Sequence, residues 1–248
     1  TLAVYWIGAG LIAGNEIDYA TVQAFTMLCT QIVMAFLMLM MMFILLPRAN
    51  VCAKRIQEVI DTEVSVKDPD VEKPLVKGEE GTITFDHVSF AYPDAEADIL
   101  QDISFTAKKG QTIAFIGSTG SGKSTLVNLV TRFYDVTKGS ITIDGVDVRN
   151  MKQSTLRGLV GFVPQKGLLF SGTIKSNIKF GNSNASDKDV EQACKIACAD
   201  EFISKMEKGY DSPITRGGTN VSGGQRQRLC IARAIATKPE FLVFDDSL

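Results

Sequence analysis

The 248 residues are 45% hydrophobic and 22% charged, with 21 Gly and 7 Pro, which excludes disordered, collagen-like and low-complexity chains and fits one domain with a piece of a second. A formal net charge of −2 provides no electrostatic footprint for nucleic acid. Five Cys, at positions 29, 52, 194, 198 and 230, are odd in number and lack C-x-x-C spacing, which argues against a disulfide framework or a zinc site, and the single His, His87, leaves no multi-His site.

Charge is unevenly spread. Residues 1–50 contain only Glu16, Asp18 and Arg48 as charged groups, the pattern of a membrane piece ahead of a soluble one. Tyr19 to Pro47 is an uncharged stretch of 29 residues. As a helix it would run roughly 43 Å, enough to cross a ~30 Å hydrocarbon core with tilt. A buried helix of a soluble domain is the alternative, but such helices rarely run so long while apolar on every face. Residues 1–15 are too short to cross alone and read as the end of an earlier span, joined by a turn at Gly14–Asp18. Residues 1–60 are therefore expected to hold the end of one span, a full last span and a cytoplasmic extension. Starting at Thr1 and stopping at Leu248, the chain reads as a fragment. Arg48, Lys54 and Arg55 place the rest of the chain on the cytoplasmic side, and Pro47 is expected to kink the helix. Six of the eight Met lie at positions 27, 34, 38, 40, 41 and 42, either lining an adaptable ligand path or filling interhelical surface. Gln23 and Gln31 are expected to face other helices or a cavity.

Residues 61–80 carry ten charges with Pro69 and Pro74 and read as an exposed connector. Beyond them, Gln111–Gly117 (QTIAFIG) has the apolar centre of a strand buried on both faces. It leads into Gly117-Ser118-Thr119-Gly120-Ser121-Gly122-Lys123-Ser124, a match to G-x-x-x-x-G-K-[ST], and then into Leu126, Val127, Leu129, Val130 and Phe133 at the spacing of one helix face. In such a loop the glycines let backbone N–H groups turn inward around phosphate oxygens, and the helix N-terminus adds its positive dipole end. Lys123 supplies a mobile charge to the outer phosphates, and the Ser124 hydroxyl suits Mg2+. A second apolar run, Phe241 to Phe244, ends in Asp245 and Asp246, and a carboxylate at the end of a buried strand can hold Mg2+ through water. Between the two lies Val221-Ser222-Gly223-Gly224-Gln225. It is either a second phosphate-binding helix start or an ordinary Ser N-cap worth ~1 kcal/mol.

Taken in order, FAYPD around Tyr92, Gly117–Thr125, VPQKGLLFSGTI around Gln165, Ser222–Gln225 and Phe241–Asp246 resemble the ATP-binding cassette exporters, specifically a half-transporter with membrane and nucleotide domains on one polypeptide. The resemblance implies an α/β P-loop nucleotide-binding domain over residues 81–248, truncated after the second acidic motif, with a helical subdomain at about 150–229. Ahead of it stand the all-α transmembrane helices of a type-IV-like exporter. ATP and Mg2+ are the implied cofactors. Tyr92 would stack on adenine, and Gly117, Ser118, Thr119, Gly120, Ser121, Gly122, Lys123, Ser124 and Thr125 would surround ATP. Ser124, Gln165 and Asp245 would hold the metal, with Lys123, Gln165, Asp245 and Asp246 in catalytic roles. Ser222, Gly223, Gly224 and Gln225 would reach across a dimer to the partner's ATP. The implied partners are a second half-transporter, membrane lipid and a transported drug, lipid or peptide, with no nucleic acid, in a multi-pass protein of the cell membrane with a cytoplasmic nucleotide domain.

Three departures qualify the resemblance. Asp246 stands where these exporters carry Glu, one methylene short of the attacking water, as in the slow-site half of a heterodimer. Arg216 stands where relatives often have Glu, and the chain stops before the dimer-contact loop and switch His. The expected activity is therefore ATP-driven export by a dimer, with an ATP-gated channel or a regulatory subunit of little hydrolysis as the alternative. His87 is expected to be a surface strand residue, and Cys194 and Cys198 to be packing residues of the helical subdomain.

Overall fold

The computed structural model describes residues 2–93 and 95–245, and it divides into two units, 1–64 and 65–248. The first unit is a helical hairpin of α1 (Leu2–Ala13) and α2 (Tyr19–Ile60). Its turn is built by the backbone: Asn15 takes a left-handed φ of 58°, its N–H donates to Ile12 O, and Glu16 N–H donates to Leu11 O. Asparagine tolerates that conformation, so the last carbonyls of α1 are satisfied. Gly8 and Val22 are the buried contact between the helices. A Cβ at Gly8 would come within 2.7 Å of Val22 Cγ1.

Among the described residues only α2 is long and apolar enough to cross a membrane, which corrects the expectation of several transmembrane helices. With 12 residues, α1 reaches about 18 Å, short of the hydrocarbon core. α2 itself runs unbroken through Pro47 to Ile60. Its 42 residues span about 63 Å, so the charged final turns project past any ~30 Å apolar layer. The hydroxyls of Thr26 and Thr30 donate back to Val22 O and Thr26 O, which satisfies them without water.

The second unit begins with β1 (Ile83–Phe90) and β2 (Leu100–Ala107), followed by α3 (Lys123–Val130), β3 (Lys138–Ile143), β4 (Val146–Asp147), α4 (Gln153–Leu159) and β5 (Val160–Val163). Then come β6 (Gly172–Thr173), α5 (Ile174–Ile178), α6 (Asp187–Ile196), α7 (Asp200–Ile203), β7 (Pro213–Ile214), α8 (Gly223–Ala236) and β8 (Phe241–Phe244). An antiparallel sheet of order β2-β1-β3-β4 buries Phe85, Val88, Ile141 and Ile143 against Leu126 and Leu129 of α3. Its β1 bulges between Asp86 and Ser89, and a Cβ at Gly139 (φ 78°) would run into the carbonyls of Asp86 and His87, so only glycine fits there. A second core joins Ile174, Ile178, Cys194, Ile203 and Leu229 across α5 to α8. Between the cores, β5 and β8 pair in parallel, Val160 opposite Phe241 and Val163 opposite Phe244.

The run Gln111–Gly117 departs from expectation. It forms no ladder, and Ile116 is 97% exposed. A strand buried on both faces needs a neighbour on each side. Among the described residues the parallel sheet holds only β5 and β8, which pair with each other. Phe133 also falls outside the helix face assigned to it. α3 ends at Val130, Arg132 turns the chain with a φ of 52°, and Phe133 is exposed.

The acidic connector is exposed over most of its length, as expected, but it is docked at several points. Lys67 O accepts from the buried Arg132 guanidinium, and Val66 O from Gln153 Nε2. Asp68 Oδ1 accepts from Gln153 N at 2.9 Å and Glu72 Oε1 from Lys152 N at 3.1 Å. The N-cap of α4, Lys152, provides no side-chain cap of its own, so acids from the connector complete the helix start, where negative charge is favoured. Hydrogen bonds from Thr155 and the Lys152 backbone hold the Glu72 carboxyl below its ordinary pKa. A depressed carboxyl stabilises above its unfolded pKa, and the contribution fades as pH falls through the folded one. Asp68→Asn with Glu72→Gln should raise tryptic cleavage at Lys67 several-fold.

Candidate functional site

The loop 117–124 enters α3 through two left-handed glycines, Gly120 (φ 84°) and Gly122 (φ 91°). Gly122 has no room for a side chain either, because a Cβ would lie 2.8 Å from Leu100 Cδ2. As the N-cap of α3 it offers no side-chain acceptor, so the first N–H groups of that helix are left for an anion. Ser121 N–H closes the turn on Ser118 O. Lys123 Nζ folds back to donate to Gly117 O at 2.9 Å and Ser118 O at 3.0 Å, which sets its ammonium beside the glycine loop.

Ser124 is the second residue of α3, and its Oγ donates to Asp245 Oδ1 at 2.7 Å across 121 positions of sequence. Asp245 reaches that place because β8 pairs with β5, and its own N–H donates to Val163 O just beyond the ladder. A hydroxyl and a carboxylate oxygen held together form the hard, oxygen-only donor set that suits Mg2+. Gln165 follows the same end of β5, two residues beyond Val163, and is exposed. The parallel pairing thus brings Gln165 and Asp245 to one edge. Asp246 lies outside the described residues.

Tyr92 is half-buried at the end of β1. Its ring meets Phe90 and Tyr134 edge-on, at 5.0 and 5.1 Å, and its hydroxyl is 3.0 Å from Thr125 Oγ1. The sequence did not suggest that last contact, which joins the ring to the first turn of the P-loop helix.

Ser222 starts α8 with a reciprocal cap: Gln225 N–H donates to Ser222 Oγ, and Ser222 N–H to Gln225 Oε1. The ordinary capping role is therefore real. Yet Gly223 and Gly224 are exposed and an added Cβ at either meets nothing within 4 Å, which leaves this helix start open to a large ligand. No hydrogen bond joins 222–225 to 117–125 among the described residues. Arg216 opens a short 3-10 turn ahead of the loop, in which Gly217 N–H donates to Leu169 O.

Other singled-out residues lie away from this edge. His87 is an exposed β1 residue whose Nδ1 sits 2.6 Å from Asp102 Oδ1, and that hydrogen bond raises its pKa. A raised imidazole pKa makes the pair stabilising below the unfolded value and lost as pH rises through the folded one. Because His87 is the chain's one histidine, its NMR titration is unambiguous. It should lie above the ordinary 6.5 and return toward it in Asp102→Asn. Cys194 is fully buried, its thiol pushed up to about 12 by desolvation. Cys198 is not a core residue: it is exposed and ends α6 in a left-handed turn with φ 52°.

Glycine loop, helix start and bridged Ser–Asp pair together define a P-loop nucleotide-binding protein. The ABC transporter family matches residues 100–248, and the chain belongs to that family. It is 42% identical, over its whole length, to an uncharacterized ABC transporter ATP-binding protein of Mycobacterium bovis, covering 43% of that protein. It is 39% identical over 99% of its length to the Bacillus subtilis protein named "Probable multidrug resistance ABC transporter ATP-binding/permease protein YheI", covering 42% of it. Among solved structures, a bacterial Atm1-family ABC exporter with ATP bound matches with a TM-score of 0.76 at 33% identity, over 99% of this chain and 44% of that one. The chain spans less than half the length of each of these relatives.

Two structural features beside the site were not evident from the sequence. One is the pair of connector acids that complete α4. The other is Arg233, whose guanidinium stands one helical turn from Leu229 and Cys230, both buried in α8. A charged residue on an apolar helix face is the signal that could have marked it.

Proposed function

We propose that the chain is one half of a dimeric ABC exporter that binds ATP between its own Gly117–Thr125 loop and the serine–glycine loop of a partner half-transporter. The observation that carries this reading is the 2.7 Å bridge from Ser124 to Asp245, which assembles a metal-ready oxygen pair beside the phosphate loop. The loop's N–H groups and the α3 dipole bind the phosphates, and Lys123 exchanges its two carbonyl contacts for phosphate oxygens. Tyr92, anchored to Thr125, receives the base. Mg2+, when bound at Ser124 and Asp245, supplies charge neutralisation to the outer phosphates. Gln165, leaving the same strand edge as Asp245, orients water there.

Ser222–Gln225 of this chain acts in turn on the partner's ATP. Asp246, in place of the family's Glu, makes this chain's own site the slower of the two, so the partner is a different chain carrying Glu. ATP closure then drives α2 and the other membrane helices outward. The multidrug name of the B. subtilis relative supports a drug-like substrate, and the six Met of α2 offer it a pliable surface.

Photolabelling with 8-azido-ATP tests the binding step. Lys123→Ala should reduce labelling of this chain at least about tenfold, given the ~1.5–3 kcal/mol of a hydrogen bond to a charged group. Undiminished labelling would remove the loop from the mechanism.

A further inference from the structure

The loop that follows Gln165 is gripped from α8. Arg233 donates through Nε to Asn177 O at 2.9 Å, through Nη1 to Leu168 O at 2.9 Å and through Nη2 to Asn177 Oδ1 at 2.8 Å. Its guanidinium also lies 5.3 Å from the Phe170 ring and 5.8 Å from that of Phe180. Asn177 is 2% exposed and uses its whole amide on the same loop: Oδ1 accepts from Phe170 N, and Nδ2 donates to Phe170 O and Thr173 O. A second tie runs beside it, since Gly217 N–H donates to Leu169 O at 2.9 Å and Gly218 packs on the Leu169 side chain. Gly167 completes the grip: a Cβ there would lie 2.8 Å from Cys230 Sγ.

We propose that Arg233 and Asn177 are positioning residues that lock the Gln165 loop to the helix begun by Ser222–Gln225, so that a displacement of one is carried to the other. The reading rests on the ATP-binding role given above. Four consecutive residues of the loop, 167–170, touch either α8 or the turn just ahead of it. Close-packed, hydrogen-bonded elements move as a body rather than deform. Phosphate contact at the α8 N-terminus therefore reaches Gln165 through a guanidinium fork, which an ammonium cannot reproduce because it lacks the planar, multi-donor geometry.

Hydrogen exchange on the assembled pair of half-transporters in lipid nanodiscs, with Lys123→Ala throughout so that this chain's own loop holds little ATP, tests this directly with and without MgATP. With Arg233 and Asn177 intact, ATP should slow exchange at both 165–171 and 222–226. Arg233→Lys should keep the change at 222–226, yet lose it at 165–171. Asn177→Asp is the second variant. Its carboxylate still accepts from Arg233, so no buried cation is left unpaired, while the donor to Phe170 O and Thr173 O is replaced by an oxygen that repels both carbonyls. It too should uncouple the two segments, and it decides the matter if Arg233→Lys does not fold. A full response at 165–171 in the variants would overturn the proposal. No response to ATP at either segment of the assembled pair with Arg233 and Asn177 intact would overturn the ATP reading on which it stands.

Discussion

Asp245→Asn should abolish the Mg2+-dependent part of ATP retention by this chain while leaving Mg2+-free binding nearly intact. The substitution preserves shape: an Asn at the end of β8 can still accept from Ser124 Oγ, as Asp245 Oδ1 does at 2.7 Å, and its backbone N–H keeps the bond to Val163 O. The change removes one negative charge at the point where the proposed function puts a divalent cation. A carboxylate–cation contact of this kind contributes several kcal/mol. A loss of about 3 kcal/mol corresponds to roughly 100-fold in affinity. Binding without Mg2+ depends on the loop N–H groups and on Lys123, neither of which touches the substituted atom, so it should change by less than about threefold. Calorimetric titration with ATP in Mg2+ and in EDTA separates the two. Equal losses under both conditions would make Asp245 a structural strand-end residue. No loss in either would remove it from the site.

The phosphate loop was legible because its chemistry is local. Gly120 and Gly122 need left-handed dihedrals wherever the rest of the fold lies, and Lys123 and Ser124 follow at fixed distance on the same helix. Joining Ser124 to Asp245 needed only the strand–acid pattern as well. Gln111–Gly117 was harder, since burial belongs to neighbours: an apolar run states a preference for two flanking strands, and β5 and β8 satisfy each other instead. The exposure of the connector was legible, but its docking points were not. Its ten charges in 61–80 look like solvated chain, but Asp68 and Glu72 find the uncapped start of α4, a partner about 80 residues away that no local pattern reveals. Arg233 and Asn177 are silent in the same way. Each is an unremarkable residue in its own helix, and their meaning arises only where α5 and α8 pack together. α2 was plain because length and apolarity alone define it, whereas the helix count of a whole membrane domain is not a property of one hairpin.

If the two halves of the exporter divide the work, Ser222→Ala should lower ATP turnover of the assembled transporter far more than Lys123→Ala does, although Lys123 is the residue that touches this chain's own nucleotide. The inversion arises from which site each residue serves. Lys123 belongs to the site backed by Asp246, the slower one, so its loss should reduce total turnover by less than about twofold. Ser222 completes the faster site on the partner, where a preorganised donor to developing phosphate charge is typically worth about 100-fold or more in rate. Capping must be separated from donation, because Ser222 Oγ also accepts from Gln225 N–H and alanine gives up an N-cap worth ~1 kcal/mol. Ser222→Asp keeps an acceptor for that N–H and preserves the helix start, but it points a negative charge at the phosphate. It should therefore fall as far as alanine in turnover while melting like the parent. Steady-state phosphate release from the co-expressed pair, normalised to assembled transporter, reads the comparison. Equal losses from Lys123→Ala and Ser222→Ala would make the two sites equivalent and the partner a second copy of this chain. A loss confined to Lys123→Ala would return Ser222 to the plain role of a helix cap.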